Sequence, residues 1–271
     1  MARKKMESEN MKVVYAHTDS IYVPVKSIES AEDLCEELNE HIRSIFPNLL
    51  LDKHPVTLEF EKFYSSLGIG NVKNRNAGYI SWKDGYFLSE PEFVVTGFEM
   101  KRIGLVPIAR EVQEKVIKMW VEQKTHSEII SYLKEKYNDI KYGNVSVGDI
   151  ISRSRLRQDI FKYKTFAGGV AGALYYNQHI NPHDPISDSY LYFKCKSITG
   201  EQYIRYPNGE SKKATYVSFK ELGEISDAFI PDWDYYANLV LQKAEPIFDA
   251  MRWDISKAKV DKNQRSLEEW F

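Results

Sequence analysis

Along the chain of 271 residues, apolar positions first alternate in strand-like runs and later recur at helical spacing. Residues 2–9 read as the end of a helix. Val13-Val14-Tyr15-Ala16 and Ile21-Tyr22-Val23 are apolar runs rich in Tyr and Val, separated by the polar His17-Thr18-Asp19-Ser20. The pattern predicts a β-hairpin with Asp19 at its tip. Ser30 is the expected cap of a helix in which Leu34, Cys35, Leu38, Ile42 and Ile45 recur every three or four positions until Pro47. Strands are expected over 56–64, 78–81, 86–88 and 93–98, with Lys83-Asp84-Gly85 as the turn between two of them.

At Pro107 the period changes. Proline suits the first turn of a helix, and Ile108, Val112, Val116, Met119 and Trp120 form its buried stripe. Thr125 to Glu128 reads as a capping box for a further helix with Ile129, Ile130, Leu133 and Tyr137 inward. A short strand near 150–151, a helix over 167–177 and strands at 190–195 and 202–206 follow. Asp232 opens a last long helix through Tyr236, Leu239, Val240, Ile247 and Met251, kinked at Pro246. Runs of strand and runs of helix, rather than strict alternation, make the fold class α+β. The boundary between the two parts falls near residues 100–107.

Composition narrows the class. Hydrophobic residues at 43% and charged residues at 28% suit a globular protein, and no apolar run approaches the roughly 20 residues of a membrane span. The first ten residues have no apolar core for a signal peptide. Cys35 and Cys195 form no metal-binding spacing and are expected reduced, as in a cytoplasmic protein. The net charge of −2 excludes a wholly basic nucleic-acid binder. Any such binding must use local patches, and two exist. Lys73, Arg75 and Lys83 make one, and Arg153, Arg155, Arg157, Lys162 and Lys164 make the other. The acids Glu29, Glu32, Asp33, Glu36, Glu37 and Glu40 read as a solvated helix face.

Few side chains offer chemistry. Asp19 at a hairpin tip is placed for a metal ion, although an ordinary surface turn has the same pattern. Glu59 and Glu61, at i and i+2 on an expected strand, point to one face and suit a metal site or a solvent-facing edge. Lys73 and Arg75 at the same spacing can both meet a phosphate backbone. Gly168, Gly169 and Gly172 lack the Lys-Ser/Thr of a phosphate loop and read as sites of close helix packing.

Tyr15, Thr18, Asp19 and Ser20, with the strand after them, resemble motif C of the family B DNA polymerases, Tyr-x-Asp-Thr-Asp-Ser. His17 stands where the family has its first Asp, and a neutral imidazole is a poor ligand for a hard ion. The resemblance implies that Asp19 is the direct ligand of two catalytic Mg²⁺ ions. Leu58-Glu59-Phe60-Glu61 is similar to the acidic strand that follows motif C, which implies Glu61 as catalytic and metal-binding and Glu59 as a second ligand. Residues 72–79 resemble the Lys-Lys-Arg-Tyr motif that grips the primer–template, with Lys73 and Arg75 matching and Asn74 and Asn76 departing. Gly97, Glu99 and Arg102 are similar to the Gly-x-Glu-x-x-Arg that closes the palm, without its Arg-Asp-Trp continuation. Ile108 to Gln113 matches the first thumb helix, and Phe161-Lys162-Tyr163-Lys164 resembles the thumb segment on the duplex minor groove. By the same resemblance Thr18, Lys73, Arg75, Arg102, Lys162 and Lys164 are DNA-binding residues. Gln264, Leu267, Trp270 and Phe271 resemble the peptide that holds the sliding clamp: an aliphatic and two aromatics for one apolar pocket, and a polar anchor.

The resemblance runs in the family's order over nearly the whole chain, weakest from Pro182 to Asp227. It implies a partial palm, an antiparallel sheet with packed helices over 1–104. A mainly helical thumb over 105–258 and a flexible clamp-binding tail over 259–271 would follow. No Asp-x-x-Ser-Leu-Tyr-Pro segment (motif A), no fingers helix and no exonuclease acid cluster occur in the 271 residues. The expected protein is therefore the small subunit of a split, archaeal-type polymerase, or a piece of an intact one. Its implied partners are a large subunit with exonuclease, fingers and motif A, primer–template DNA, deoxynucleoside triphosphates and the sliding clamp, with no membrane. It is expected to be a DNA-directed DNA polymerase active only with that large subunit, through a shared two-metal Mg²⁺ site, in the cytoplasm at the nucleoid. The alternative is a non-catalytic subunit that binds DNA and tethers the clamp.

Overall fold

β1 (Tyr15–His17) pairs antiparallel with β2 (Ser20–Tyr22), His17 opposite Ser20. The computed structural model describes residues 6, 12–17, 20–46, 54–99 and 105–260. All of the expected helix over 2–9 except Met6 lies outside that range. The chain divides into two units after Gly97.

In the first unit, α1 (Ile28–Ile45) follows the hairpin. Its cap is Ser27 rather than Ser30: the Ser27 side chain accepts from the Ser30 backbone N–H, so the helix starts earlier than expected. Leu38 and Ile42 are buried and Leu34 and Cys35 half-buried, whereas Ile45 is 42% exposed in the last turn. An antiparallel sheet then runs in the order β3 (Lys62–Ile69), β4 (Asn76–Lys83), β5 (Tyr86–Thr96). The turn at Asp84 and Gly85 has φ of 49° and 93°, the mirror-image geometry that follows strand twist and that glycine adopts without strain. The two short strands expected over 86–98 are one long strand. Pro91 inside it punctuates the sequence pattern but sits on an edge strand, where its missing N–H costs no ladder bond.

The second unit opens with α2 (Pro107–Val121), its proline in the first turn, and α3 (His126–Lys141), held by the expected Thr125–Glu128 capping box. Both pack on α5 (Trp233–Met251), which Asp232 caps by accepting from the Tyr235 N–H. Every member of the expected α2 stripe is buried. Pro246 lies inside α5, so the Gln242 carbonyl loses its helical donor. Gln113 of α2 donates to the neighbouring Lys243 carbonyl at 2.9 Å.

Between α3 and α5 lies a sheet that the sequence only outlines. β6 (Ser152–Arg155), β10 (Tyr216–Phe219) and β11 (Phe229–Pro231) all pair antiparallel with the ten-residue β7 (Ser189–Ile198). The strand expected at 150–151 is displaced to 152–155 because Val147–Ile150 is a 3₁₀ turn under its own capping box. β8 (Tyr203–Arg205) and β9 (Ser211–Lys213) form a separate hairpin. α4 (Gly169–Tyr175) packs on β10 and β7 and runs into a π-turn, Tyr176–Ile180. Its glycines are packing sites. A Cβ at Gly172 would meet Ser218 Oγ at 2.5 Å and the Val217 carbonyl carbon at 2.9 Å.

Gly172→Ala therefore sets two effects against each other. Helix propensity favours alanine by about 1 kcal/mol, but the collision is with strand backbone that cannot yield, and overpacking costs about 1–3 kcal/mol. We expect the collision to win, with a fall in Tm of several degrees in a thermal melt; a raised Tm would mean that α4 slides freely on the sheet.

Candidate functional site

Chemistry-bearing side chains of the first unit gather around the hairpin. Thr18 and Asp19 fall between the paired His17 and Ser20 and lie outside the described residues. The rest of the hairpin is described. The Tyr15 hydroxyl donates to Asn74 Oδ1 at 2.7 Å and accepts from the Asn74 N–H at 3.1 Å, tying the hairpin to the turn that carries Lys73. Tyr22 lies edge-on to Tyr15 at 5.4 Å and against Tyr64 at 6.0 Å. Burial, and after it the neighbouring Tyr22, pushes the Tyr64 phenol up to about 12, so it is neutral at physiological pH.

Glu59 and Glu61 are exposed, while Leu58 and Phe60, which alternate with them, are half-buried. The expected alternation holds, but not because a strand enforces it: β3 begins only at Lys62. Residues 57–61 have no regular secondary structure and are fixed by other means. Asn39 of α1, 8% exposed, donates from Nδ2 to the Leu58 carbonyl at 2.9 Å and accepts the Leu58 N–H on Oδ1 at 2.7 Å. Phe60 stacks on Trp82 at 4.3 Å, and the Asp84 N–H donates to the Glu61 carbonyl at 3.0 Å. Burial, followed by the Glu59 charge, pushes the Cys35 thiol up, so it remains a thiol beside Leu58. Glu61 stands 4.0 Å from Lys62 Nζ, with its carboxylate side two-thirds open to solvent.

Carboxylate oxygens suit Mg²⁺. Among the described residues, however, no group of three or more His, Cys, Asp or Glu side chains could hold an ion. Glu59 and Glu61 thus offer donors of the right kind but an incomplete set. They border a cleft of about 1030 Å³ between the hairpin, α1 and residues 57–69, whose walls include Ile21, Leu34, Leu38 and Phe60. Among the described residues, β1 and β2 pair only with each other.

Lys73 and Arg75 are not on a strand together. Lys73 and Asn74 form a turn ahead of β4, and Asn74 has φ 63°. The i, i+2 rule therefore does not orient the two cations. Lys73 is exposed, whereas Arg75 is half-buried with its stem against Gly70. Gly97 closes this turn from the other side: a Cβ there would lie 2.0 Å from the Asn74 carbonyl oxygen.

In the second unit, Lys162 ends a 3₁₀ turn (Ile160–Lys162) and Lys164 follows; both are exposed. Asp159 caps the turn by accepting from the Phe161 N–H at 2.9 Å, and the Tyr163 hydroxyl accepts from the Arg157 N–H at 2.8 Å. Arg155 pairs with Asp188. Glu99 is paired with Lys243 of α5. Arg102, Gln264, Leu267, Trp270 and Phe271 lie outside the described residues. Sequence reasoning passed over Asn39; its signal was a polar side chain set between Leu38 and Ile42 on an apolar helix face.

The first unit sets a hairpin, an acidic segment and a basic turn tied to the hairpin together, and the second unit has its own basic segment. The family model for DNA polymerase family B matches residues 1–251, and the chain belongs to that family. It is 28% identical over 230 residues to a DNA polymerase of Archaeoglobus fulgidus, covering 84% of this chain and 24% of that protein. It is 27% identical over 240 residues to the DNA polymerase zeta catalytic subunit of Saccharomyces cerevisiae, covering 88% of this chain and 15% of that one. The fold is similar to the family B DNA polymerase from the hyperthermophilic archaeon Pyrobaculum calidifontis, with a TM-score of 0.61, 18% identity, and coverage of 91% of this chain and 28% of that one. The chain spans about a quarter or less of the two relatives' length. No described helix is long and apolar enough to cross a membrane.

Asn39 supplies a test of how the acidic segment is held. Asn39→Ala should cost about 1–2 kcal/mol, because two hydrogen bonds are lost and water regains only part of them. Hydrogen exchange at the Leu58 amide should accelerate while exchange in the β3–β4 ladder does not. Unchanged protection at Leu58 would assign the segment's order to the Phe60–Trp82 stack instead.

Proposed function

We propose that this chain supplies part of the palm (1–104) and the thumb (105–258) of a family B DNA polymerase that extends a primer on a template from deoxynucleoside triphosphates. The observation that carries this reading is the Tyr15–Asn74 tie, which joins the motif C hairpin to the basic turn 59 residues away in the sequence. Asp19 and Glu61, with Glu59 second, would hold Mg²⁺ through carboxylate oxygens. When bound, the ions supply the charge that stabilises the attacking and leaving oxygens of nucleotidyl transfer. Thr18, Lys73, Arg75 and Arg102 bind and orient the primer–template near the hairpin, and Lys162 and Lys164 hold the duplex backbone. The phosphate contacts position the DNA without reading its sequence.

A second carboxylate strand is needed, and no motif A segment occurs in the 271 residues. We assign it to a large partner subunit, as in a split polymerase of archaeal type. The open cleft beside the hairpin, with Ile21, Leu34, Leu38 and Phe60 in its walls, supports that assignment. An interface of this kind would bury some ~2,000 Å² or more. Residues 264–271 are the proposed sliding-clamp peptide. His17 in place of the family's first motif C acid favours one other reading, a non-catalytic subunit that binds DNA and tethers the clamp.

Primer extension by the reconstituted pair separates the two readings. Asp19→Ala should lower extension at least ~10³-fold, comparable to removing one preorganised electrostatic stabiliser, and Glu61→Ala should cost less. Near-normal turnover in the Asp19 variant would leave the non-catalytic reading standing. For the tail, a peptide of residues 264–271 should compete with the chain for the clamp. Trp270→Ala with Phe271→Ala should remove most of the affinity, since buried aromatics dominate small interfaces. No heat of binding from the intact tail would end the clamp assignment.

A further inference from the structure

The β8–β9 hairpin lies where the motif resemblance is weakest, and no motif assigns it a role. It is nevertheless anchored firmly. The Gln178 side chain, in the π-turn after α4, donates to the Arg205 carbonyl at 2.6 Å and accepts the Arg205 N–H at 3.0 Å. His179 bonds the Tyr203 carbonyl at 2.9 Å. Ile204 is buried, so the side chains on either side of it face outward. Tyr203 is 55% exposed, Arg205 is exposed, and the register sets Lys213 directly across from Tyr203. Within the two strands this outward face holds a ring and two cations, and Glu201, just ahead of β8, carries a charge that Arg205 stabilises.

The nearby acids have other partners as well. Glu210 is paired with Lys212 at 2.8 Å. Glu201 accepts from the backbone N–H groups of Tyr203 and Gln202, and those bonds, followed by the nearby His179 and Arg205, hold its carboxyl below the usual range. Arg205 and Lys213 have no ion-pair partner among the described residues. On the other side of the hairpin, Tyr206 meets Phe166 edge-on at 5.3 Å. Phe166 is two residues beyond Lys164, so this contact ties the end of the hairpin to the chain that follows the basic segment 157–164.

We propose that the outward face of the β8–β9 hairpin is a second nucleic-acid contact surface, in addition to the Lys162–Lys164 segment, in which Arg205 and Lys213 meet phosphates and Tyr203 packs on sugar or base. The inference rests on the polymerase reading of the neighbouring segment and extends it to residues outside that segment. Nucleic acid is favoured over an acidic protein because fixed cations here alternate with exposed rings, Tyr203 in the hairpin and Phe161, 66% exposed, in the adjoining turn. Unlike a mobile lysine tail, the hairpin pays little ordering entropy on binding, because Gln178 and His179 already hold its backbone.

The test compares the full chain with its Arg205→Ala/Lys213→Ala variant by fluorescence anisotropy, on a labelled primer–template duplex and on a labelled single strand, across a salt series. Two lost phosphate contacts should flatten the log–log salt slope by about 1.8 on duplex or about 1.4 on a single strand, with Tm unchanged. The arm that shows the change identifies the form bound, and Tyr203→Ala should weaken the single-strand arm more if bases stack on the ring. Salt-dependent binding by wild type with unchanged affinity and slope in the double variant overturns this inference and leaves the polymerase reading intact. It would also turn the face over to an acidic protein partner. Absence of binding by wild type to either DNA overturns both.

Discussion

Backbone amides removed from water must find partners, and in this protein three side-chain carboxamides meet that demand where strand pairing does not. A primary amide offers a donor and an acceptor with nearly the geometry of a peptide group, so one side chain can pair with both polar groups of one residue as a neighbouring strand would. Asn39 does this for Leu58, Asn177 for Ile186 and Gln178 for Arg205. Each clamped residue sits in a stretch that would otherwise be an unsupported edge or loop. The acidic segment, the approach to β7 and the basic hairpin all hang on these bonds.

Clamping explains how exposed functional groups are held without being buried. Glu59, Glu61, Arg205 and Lys213 turn their side chains to solvent, so packing cannot position them. Their backbones are fixed from behind, by Leu58 and Phe60 in one case and by Ile204 in the other. The hairpin tyrosines act in a similar way: Tyr15 bonds through its hydroxyl while its ring packs on Tyr22. Side-chain charge and backbone order are thereby separated.

This separation also decides what could be read from the sequence. The helices of the second unit were legible because an apolar stripe and a capping box are local: Pro107, Val112, Thr125 and Glu128 carry their own information. β9, β10 and β11 were not, because three- and four-residue strands take their identity from β7 or from each other, far along the chain. The Glu59–Glu61 pair was readable by spacing although the physical cause was a helix side chain rather than a ladder. Spacing failed for Lys73 and Arg75, where the left-handed Asn74 between them breaks the period of two. The weakest stretch of resemblance hid the basic hairpin for the same reason: its strands are short, and its clamp comes from Gln178.

The carboxamide clamp has a chemical weak point. Exchanging one nitrogen for oxygen, as slow hydrolysis of an asparagine side chain does, leaves shape and volume almost untouched. At position 39 the product would turn two acceptors toward Leu58 and set a carboxylate oxygen against the Leu58 carbonyl that the amide had bonded. Attraction becomes repulsion at one contact, and a negative charge arises on a nearly buried helix face. Ageing at a single atom would thus loosen the segment that carries Glu59 and Glu61 while the rest of the first unit kept its core.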